Sequence, residues 1–348
     1  MSNRLRPGRP RTPTIRDIAR DAGVSTATVS RVLNHRAAVA PRTRERVLRV
    51  VRESGFMTNR TARALSAGRT GLVGVTLPMI QTSYFSTLAA GVAGALYEHD
   101  FYAVMCPTAH ERDREVGLLE RLIHGTTEGA VMILPAESSS ELLALLDRGY
   151  PFVVLDPKTP PPDGIPSVSA ANVGGAAAAA THLLELGHRR IAAVTGPAGW
   201  CATEERLDGY RSALIRAGVP LDAELEVEAD FEIAGGHGAA AWLLGRPEPP
   251  TAILAFNDNL AVGTLAAARE RGLVVPRDLS VVGFDDADYA ALLSPALTTV
   301  RQPLAQMAWM AVELLRRLLE QGEVESLRVE LDTRLVVRGS TGAPARSG

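Results

Sequence analysis

Four hydroxyls and a guanidinium fall within seven residues of the stretch GVSTATVSRVLN (23–34): Ser25, Thr26, Thr28, Ser30 and Arg31. Hydroxyls and the positive end of a helix bind phosphate oxygens, and an arginine forks onto a guanine edge or clamps a phosphate. A buried helix has no use for so many polar groups side by side, so the stretch points to a polyanion outside the chain. Charge agrees. Residues 1–70 hold sixteen Arg and no Lys against Asp17, Asp21, Glu45 and Glu53, a net of +12, which leaves −14 on the rest of a chain whose formal charge is −2. A basic head on an acidic body confines the polyanion partner to the head.

A second set of groups suits a small molecule. Tyr84, Phe85, Trp200, Arg206, Phe231, Asn257 and Asp285 (with Asp286) stand at the ends of apolar runs. Aromatic faces joined to amide, guanidinium and carboxylate groups match a polyhydroxylated ring, whose apolar face stacks while its edge hydroxyls bond. A purine, held in an aromatic sandwich, is the other reading. Arg206 could instead pair with a structural acid, and Asp258 or Asp286 could merely cap a helix. Catalysis has little support. GGHGAAA lacks the Lys-Ser/Thr end and the preceding strand of a phosphate loop, His182 and His188 are too far apart for HExxH, and there is no CxxC. No catalytic residue, metal site or cofactor is therefore expected.

The elements that must position these groups follow from periodicity. In the head, Thr14 with Asp17 forms a capping box ahead of a helix whose Ile15, Ile18, Ala19 and Ala22 share one face. Gly23 ends that helix and Ser25 caps the next, with Val29, Val32 and Leu33 inward and Thr26, Ala27, Ser30 and Arg31 outward. Two short helices across a glycine turn make a helix-turn-helix; a plain surface helix is the alternative. A third helix starts near Pro41, turns Val47, Leu48, Val50 and Val51 inward and stops at Gly55. Residues 1–12 read as a disordered basic arm. NRTARALSAGRTG reads as a short helix from Asn59 to Gly68, marginal alone. It either folds only on DNA, with Leu65 wedged in the minor groove, or is a flexible linker with an incidental leucine.

In the body, the apolar runs LVGVTLP, FYAVMC, GAVMIL, FVVLD, IAAVTG, AILAF and LSVVGF alternate with helical stretches starting near Phe85, Glu111, Ser139, Asn172, Glu204 and Asp258. Buried strands alternating with helices give an α/β fold with parallel sheets, and two such series suggest two subdomains. Ligands of such sheets bind in the crevice at the carboxyl ends of the strands. DPKTPPPDGIP (156–166) is a Pro-rich surface loop. The chain has 348 residues, 46% apolar and 22% charged, enough for more than one packed domain. No apolar run is long enough to span a bilayer, the basic N-terminus has no apolar segment behind it, and Cys106 and Cys201 are too few for a disulfide framework. A cytoplasmic protein is expected.

Taken in order, TIRDIARDAGVSTATVSRVLN, RTRERVLRVVRESGF, NRTARALSAGRTGLVGVTLP, HLLELGHRRIAAVTGP, RLDGYRSAL, TAILAFNDNLAVGTLAAARERGLVVPRDLSVVGFDD and PALTTVRQP closely resemble the LacI/GalR family of bacterial transcription regulators. The resemblance runs from Thr14 to about Arg338. It implies base contacts from Thr26, Ala27 and Arg31, backbone contacts from Thr14, Ser25, Thr28, Ser30 and Asn34, and minor-groove contacts from Ala62 and Leu65. It places Arg206, Asn257 and Asp285 at effector-contacting positions and Phe231 at an aromatic position packed on the ligand. The implied architecture is a helix-turn-helix domain over 13–58, a hinge helix over 59–69 and an effector-binding, dimerising domain over 70–340. That domain resembles a sugar-binding periplasmic protein, with an N-subdomain at about 70–168 and 301–325 and a C-subdomain at about 171–297 and 328–340. Crossovers are expected near 169–171, 297–301 and 325–328, with helix 303–321 in the N-subdomain and a last strand, 328–337, in the C-subdomain.

The implied function is that of a homodimeric repressor on a pseudo-palindromic double-stranded operator, gated by a small molecule, a sugar in the first reading and a purine or nucleoside in the second. A receptor without a DNA role is disfavoured by the basic head. Nothing after 340 resembles a heptad tail, so a dimer is expected. Four positions depart from the family pattern: Ala40 replaces a capping Ser, Thr58 the Pro before the hinge Asn, Ala171 an Asp before Asn172, and FEIAGGH lacks the usual hydroxyl after its aromatic residue.

Overall fold

The computed structural model describes residues 13–33, 39–54, 70–124, 127–322 and 328–345. The arm 1–12, Asn34 and the hinge segment 59–69 with Ala62 and Leu65 lie outside the described residues. The chain divides into two compact units, Met1–Thr70 and Gly71–Gly348.

Among the described residues the first unit is built on three helices: α1 (Ile15–Asp21), α2 (Thr26–Leu33) and α3 (Pro41–Ser54). Thr14 caps α1: its amide donates to Asp17 Oδ2 at 2.9 Å while its hydroxyl accepts from the Asp17 amide at 3.4 Å. Gly23, at φ +62°, makes the left-handed turn that an L side chain resists. Ser25 then caps α2, its Oγ accepting from the Thr28 amide at 3.1 Å. Ile18, Ala19, Ala22, Val29, Val32 and Val47 form the core, with Leu33, Leu48, Val50 and Val51 packed on its edge. Ala40 offers α3 no side-chain acceptor; its carbonyl accepts from the Thr43 and Arg44 amides instead. A missing N-cap hydroxyl costs roughly 1 kcal/mol.

The second unit holds two six-stranded sheets. The first comprises β1 (Leu72–Leu77), β2 (Tyr102–Pro107), β3 (Gly129–Ile133), β4 (Phe152–Leu155), β5 (Ser167–Ala170) and β11 (Arg328–Leu331), in the order β11-β5-β4-β3-β1-β2 and parallel throughout. Helices α4 (Ser83–Glu98) and α11 (Leu304–Gln321) share one apolar core with it; α5 (Arg112–Ile123) and α6 (Ser139–Asp147) share another. The second sheet comprises β6 (Ile191–Thr195), β7 (Glu226–Glu228), β8 (Ala252–Ala255), β9 (Ser280–Asp285), β10 (Thr298–Arg301) and β12 (Arg334–Val336). Its order is β12-β10-β9-β8-β6-β7, with only β12 antiparallel. Helices α7 (Asn172–Glu185), α8 (Cys201–Arg216), α9 (Ile233–Leu244) and α10 (Asp258–Glu270) pack around it in a single core.

The first crossing, after β5 ends at Ala170, falls within the expected 169–171; the other two move. β10 keeps the chain in the second sheet to Arg301, so the second crossing falls at Gln302-Pro303. The expected single strand 328–337 is two: β11 pairs with β5 in the first sheet and β12 with β10 in the second, so the third crossing is at Asp332-Thr333 and not at 325–328. The reason is local. The Ala171 amide donates to the Leu331 carbonyl at 2.9 Å, and Thr333 Oγ1 donates to the Ala171 carbonyl at 3.1 Å, which straps this run onto the first crossing before it enters the other sheet.

Candidate functional site

In the first unit, Thr26, Ala27 and Arg31 are exposed on α2, and Thr14 and Ser25 are exposed at the two caps. Thr28 and Ser30 are half-buried. The Ser25 and Thr28 hydroxyls lie 3.0 Å apart and bond one another, which fixes both at the start of α2.

In the second unit, Tyr84, Phe85, Trp200, Arg206, Phe231, Asn257 and Asp285 line one cavity of about 370 Å³ between the sheets. They come from loops and helix starts that follow strand ends, where an open α/β sheet presents its ligands. Leu134, Asp156 and Asp285, at the ends of β3, β4 and β9, also line it, each with left-handed backbone (φ 49°, 55° and 118°). Such conformations cost of order 1–3 kcal/mol each and concentrate at functional sites.

An aromatic wall crosses from one half to the other. Ring centroids are separated by 5.3 Å from Tyr84 to Phe85, 6.4 Å from Phe85 to His110, 6.4 Å from His110 to Trp200 and 5.6 Å from Trp200 to Phe231. The Lys158 ammonium stands 5.0 Å over the Trp200 ring, a favourable cation–π geometry. Phe231 seats directly on Gly196, where a Cβ would meet its ring at 2.0 Å; only glycine admits the ring there. α8 begins at Cys201, three residues before the expected Glu204, so Trp200 stands at its N-cap.

The same cavity holds a polar cluster that Tyr84 joins to the rings. Arg206 is 4% exposed, donates from Nε to Asn172 Oδ1 at 2.9 Å and from an NH group to the Phe256 carbonyl, and lies 3.8 Å from the Phe284 ring centroid. Its hydrogen bonds thus go to neutral acceptors rather than to a structural acid. Asn172 in turn donates to Glu205 Oε2 at 2.8 Å. Tyr84 donates to Asp156 Oδ2 at 2.7 Å, and Gln302 donates to Asp285 Oδ1 at 2.7 Å. Burial pushes Asp285 up to about 7 against the opposing pull of Arg206 and Gln302, and burial raises Asp156 as well.

The capping alternatives resolve differently from either reading. Asn257 caps α10, its Oδ1 accepting from the Leu260 amide at 2.7 Å while Nδ2 donates to the Phe231 carbonyl at 3.1 Å, which leaves one N–H for a ligand. Asp258 is fully buried and accepts from Thr299 Oγ1 at 2.6 Å and the Ala287 amide at 2.7 Å. Asp286 joins Arg301 and Arg338 in ion pairs.

His110, Asp156, Lys158, Asn259 and Tyr289 also line the cavity, although sequence reasoning did not single them out. Asp156 immediately follows the apolar run FVVL, so the strand-end rule could have found it. Tyr289 donates to Asn259 Oδ1 at 2.7 Å, and Asn259 to the Phe231 carbonyl at 3.2 Å, a contact between loops that no local pattern announces. GGHGAAA lies within α9, and the ring nitrogens of His188 bond Thr251, Ser280 and the Gly342 carbonyl. Among the described residues no group of three or more His, Cys, Asp or Glu could hold a metal ion, and no helix is long and apolar enough to cross a membrane.

In the first half of the unit, Glu115 and Glu137 are 1% and 4% exposed, and their carboxyl groups face one another. Glu115 Oε2 accepts from the Ala136 amide at 2.9 Å, whereas neither Glu137 oxygen meets a donor at full hydrogen-bond geometry among the described residues. Burial and the neighbouring carboxylate push Glu137 up to about 8.

Comparison with known proteins agrees with this architecture. Residues 14–59 match the family described as bacterial regulatory proteins, lacI family, and residues 180–341 match a periplasmic binding protein-like domain. The chain is 34% identical over 333 residues to the HTH-type transcriptional regulator DegA of Bacillus subtilis (strain 168), covering 94% of this chain and 98% of that protein. The structure of the lac repressor dimer bound to operator and the anti-inducer ONPF superposes with a TM-score of 0.82 at 28% identity, covering 96% and 100% of the two chains. The transcriptional regulator CelR–cellobiose complex superposes at 0.72 with 32% identity, covering 94% and 99%. The chain belongs to the lacI family: it is a DNA-binding transcription regulator with a helix-turn-helix head and a periplasmic-binding-protein-like body.

Proposed function

We propose that this regulator is a cytoplasmic, non-enzymatic repressor that binds a pseudo-palindromic operator as a homodimer, and that a saccharide in the body's cleft sets its DNA affinity. The observation that carries the saccharide reading is one cavity pairing an aromatic wall with Arg206 and the carboxylates Asp156 and Asp285. Rings stack on a sugar's apolar face, and the charged groups take adjacent hydroxyls in pairs. The cellobiose complex of CelR and the operator-bound lac repressor dimer support the same reading. A saccharide that binds one arrangement of the two halves better than another shifts the DNA-binding equilibrium by that difference.

Calorimetry of the wild type and Asp285→Ala with monosaccharides, disaccharides and purine nucleosides tests it. Saccharide binding should appear in the wild type and weaken at least tenfold in the variant. Tight nucleoside binding with no saccharide response overturns the reading.

On the DNA side, Thr26, Ala27 and Arg31 read base edges, while Thr14, Ser25, Thr28, Ser30 and Asn34 hold the backbone. Ala62 and Leu65 complete the set in the minor groove. Arg31→Ala should cost about 1–3 kcal/mol on an operator selected from random sequence, and much less on unselected DNA. Equal losses on both, measured by fluorescence anisotropy at fixed salt, would reduce Arg31 to a phosphate clamp.

A further inference from the structure

The cleft has a neighbour. A second cavity, of about 540 Å³, lies against two of the three crossings between the sheets, and shares Ser83, Tyr84, Asp285 and Ala287 with the first. One wall is the first turn of α4; another is the first turn of α11 from Leu304 to Gln306. Arg301–Pro303 and Asp332–Arg334 supply the rest.

We propose that the effector is longer than one ring: a di- or oligosaccharide whose first unit stacks on the aromatic wall and whose second unit lies in this compartment. The inference rests on the saccharide reading above. Ligand pockets commonly span about 300–1,000 Å³; the first cavity, at about 370 Å³, sits at the low end of that range, and the larger space shares four lining residues with it.

The chemistry of the compartment selects the second unit. Tyr84, on the shared boundary, is its sole aromatic side chain among the described residues, so a purine or another flat apolar group finds no second face there to lie on. Thr87, Asp288, Gln306, Asp332 and Arg334 line it, and among the described residues their side chains make no hydrogen bond within the protein. Thr87 is half-buried and the other four are exposed, so their donors and acceptors face the open space and can exchange water for hydroxyl groups, which serve as both. At the junction Gln302, 4% exposed, holds Asp285 with its amide nitrogen, while its amide oxygen has no donor among the described residues. A ring hydroxyl next to the linkage between the two units would satisfy it, and an unsatisfied buried acceptor is costly enough to favour a ligand that supplies one. A second unit here touches both crossings at once, and so senses their geometry directly.

The test uses the full chain and isothermal titration with glucose, galactose, mannose and xylose, and with the di- and trisaccharides built from them. Ala305→Trp fills the compartment from an exposed position on the first turn of α11, and Arg334→Ala removes a polar group from its rim without adding bulk. In the wild type, the best disaccharide should bind at least tenfold more tightly than its own monosaccharide. That advantage should fall below threefold in Ala305→Trp and shrink measurably in Arg334→Ala, while monosaccharide affinity changes less than twofold in both. A disaccharide advantage that persists in both variants, or a monosaccharide that matches every longer sugar, overturns the inference and leaves the saccharide reading standing. No response to any saccharide overturns that reading, and this inference with it.

Discussion

Replacing Arg206 with leucine is expected to remove about 3 kcal/mol of stability and the effector response together. The side chain is 4% exposed and bonds the Asn172 amide oxygen and the Phe256 carbonyl. Leucine leaves both acceptors buried without a donor, at about 1–3 kcal/mol each, partly offset by the cost of desolvating the guanidinium that leucine avoids. Loss of the positive charge also removes what holds the acid forms of Asp156 and Asp285 in check, so both carboxyl groups shift further up, and Asp285, already at about 7, becomes mostly protonated at neutral pH. Denaturant unfolding should show a lower midpoint with an unchanged slope, and titration with the best wild-type saccharide should show no binding. Arg206→Lys keeps the charge but not the fork, and should recover part of the stability and little of the affinity. A leucine variant as stable as the wild type would mean that Arg206 is not the strut between Asn172 and Phe256.

The second large effect concerns pH. Glu137 has a folded-state pKa of about 8, far above the ordinary carboxylate value of 4.5 that applies when unfolded. Between those two values the folded chain binds more protons than the unfolded one. Stability therefore falls as pH rises from about 4.5 and levels off above about 8. Glu137→Gln removes the group that must give up its proton, and the new amide can donate to Glu115. The variant should gain about 2–3 kcal/mol over the wild type at pH 8.5 and little at pH 5. Thermal midpoints across pH 5 to 9 check it: a wild-type midpoint that falls toward alkaline pH and a flatter one in the variant are expected. Parallel curves would show that the pair is not the source.

The elements most legible in the sequence were those with a continuous apolar run or a capped, periodic helix. LVGVTL, GAVMI, FVVL, IAAVT and AILA are buried on both faces and so carry a signal in every residue. SVSA, EVE and TTVR are strands too, but short and polar, placed by neighbours far along the chain. The split of 328–336 was invisible for a specific reason: Val329, Leu331 and Leu335 keep one alternating phase through Asp332-Thr333, so periodicity marks no break where the chain changes sheet. Strand ends pointed to all seven cavity residues, and the motif resemblance to four of them, Arg206, Phe231, Asn257 and Asp285. His110 and Lys158 were not, because each sits in a loop whose course depends on packing between the halves.

The strap at 328–336 and helix α11 bear on how the chain is made. The first sheet holds five strands from residues 72–170, yet Met307, Ala308, Ala311, Val312, Leu314 and Leu315 of α11 complete its core, and β11 closes its edge. A ribosome that has delivered residue 301 has supplied five of the six strands of the second sheet and all four helices around it, while one apolar face of the first is still only partly covered, by α4 alone. The half synthesised first is thus the half that finishes last. During that interval the exposed strand surface invites aggregation and gives a chaperone its reason to bind.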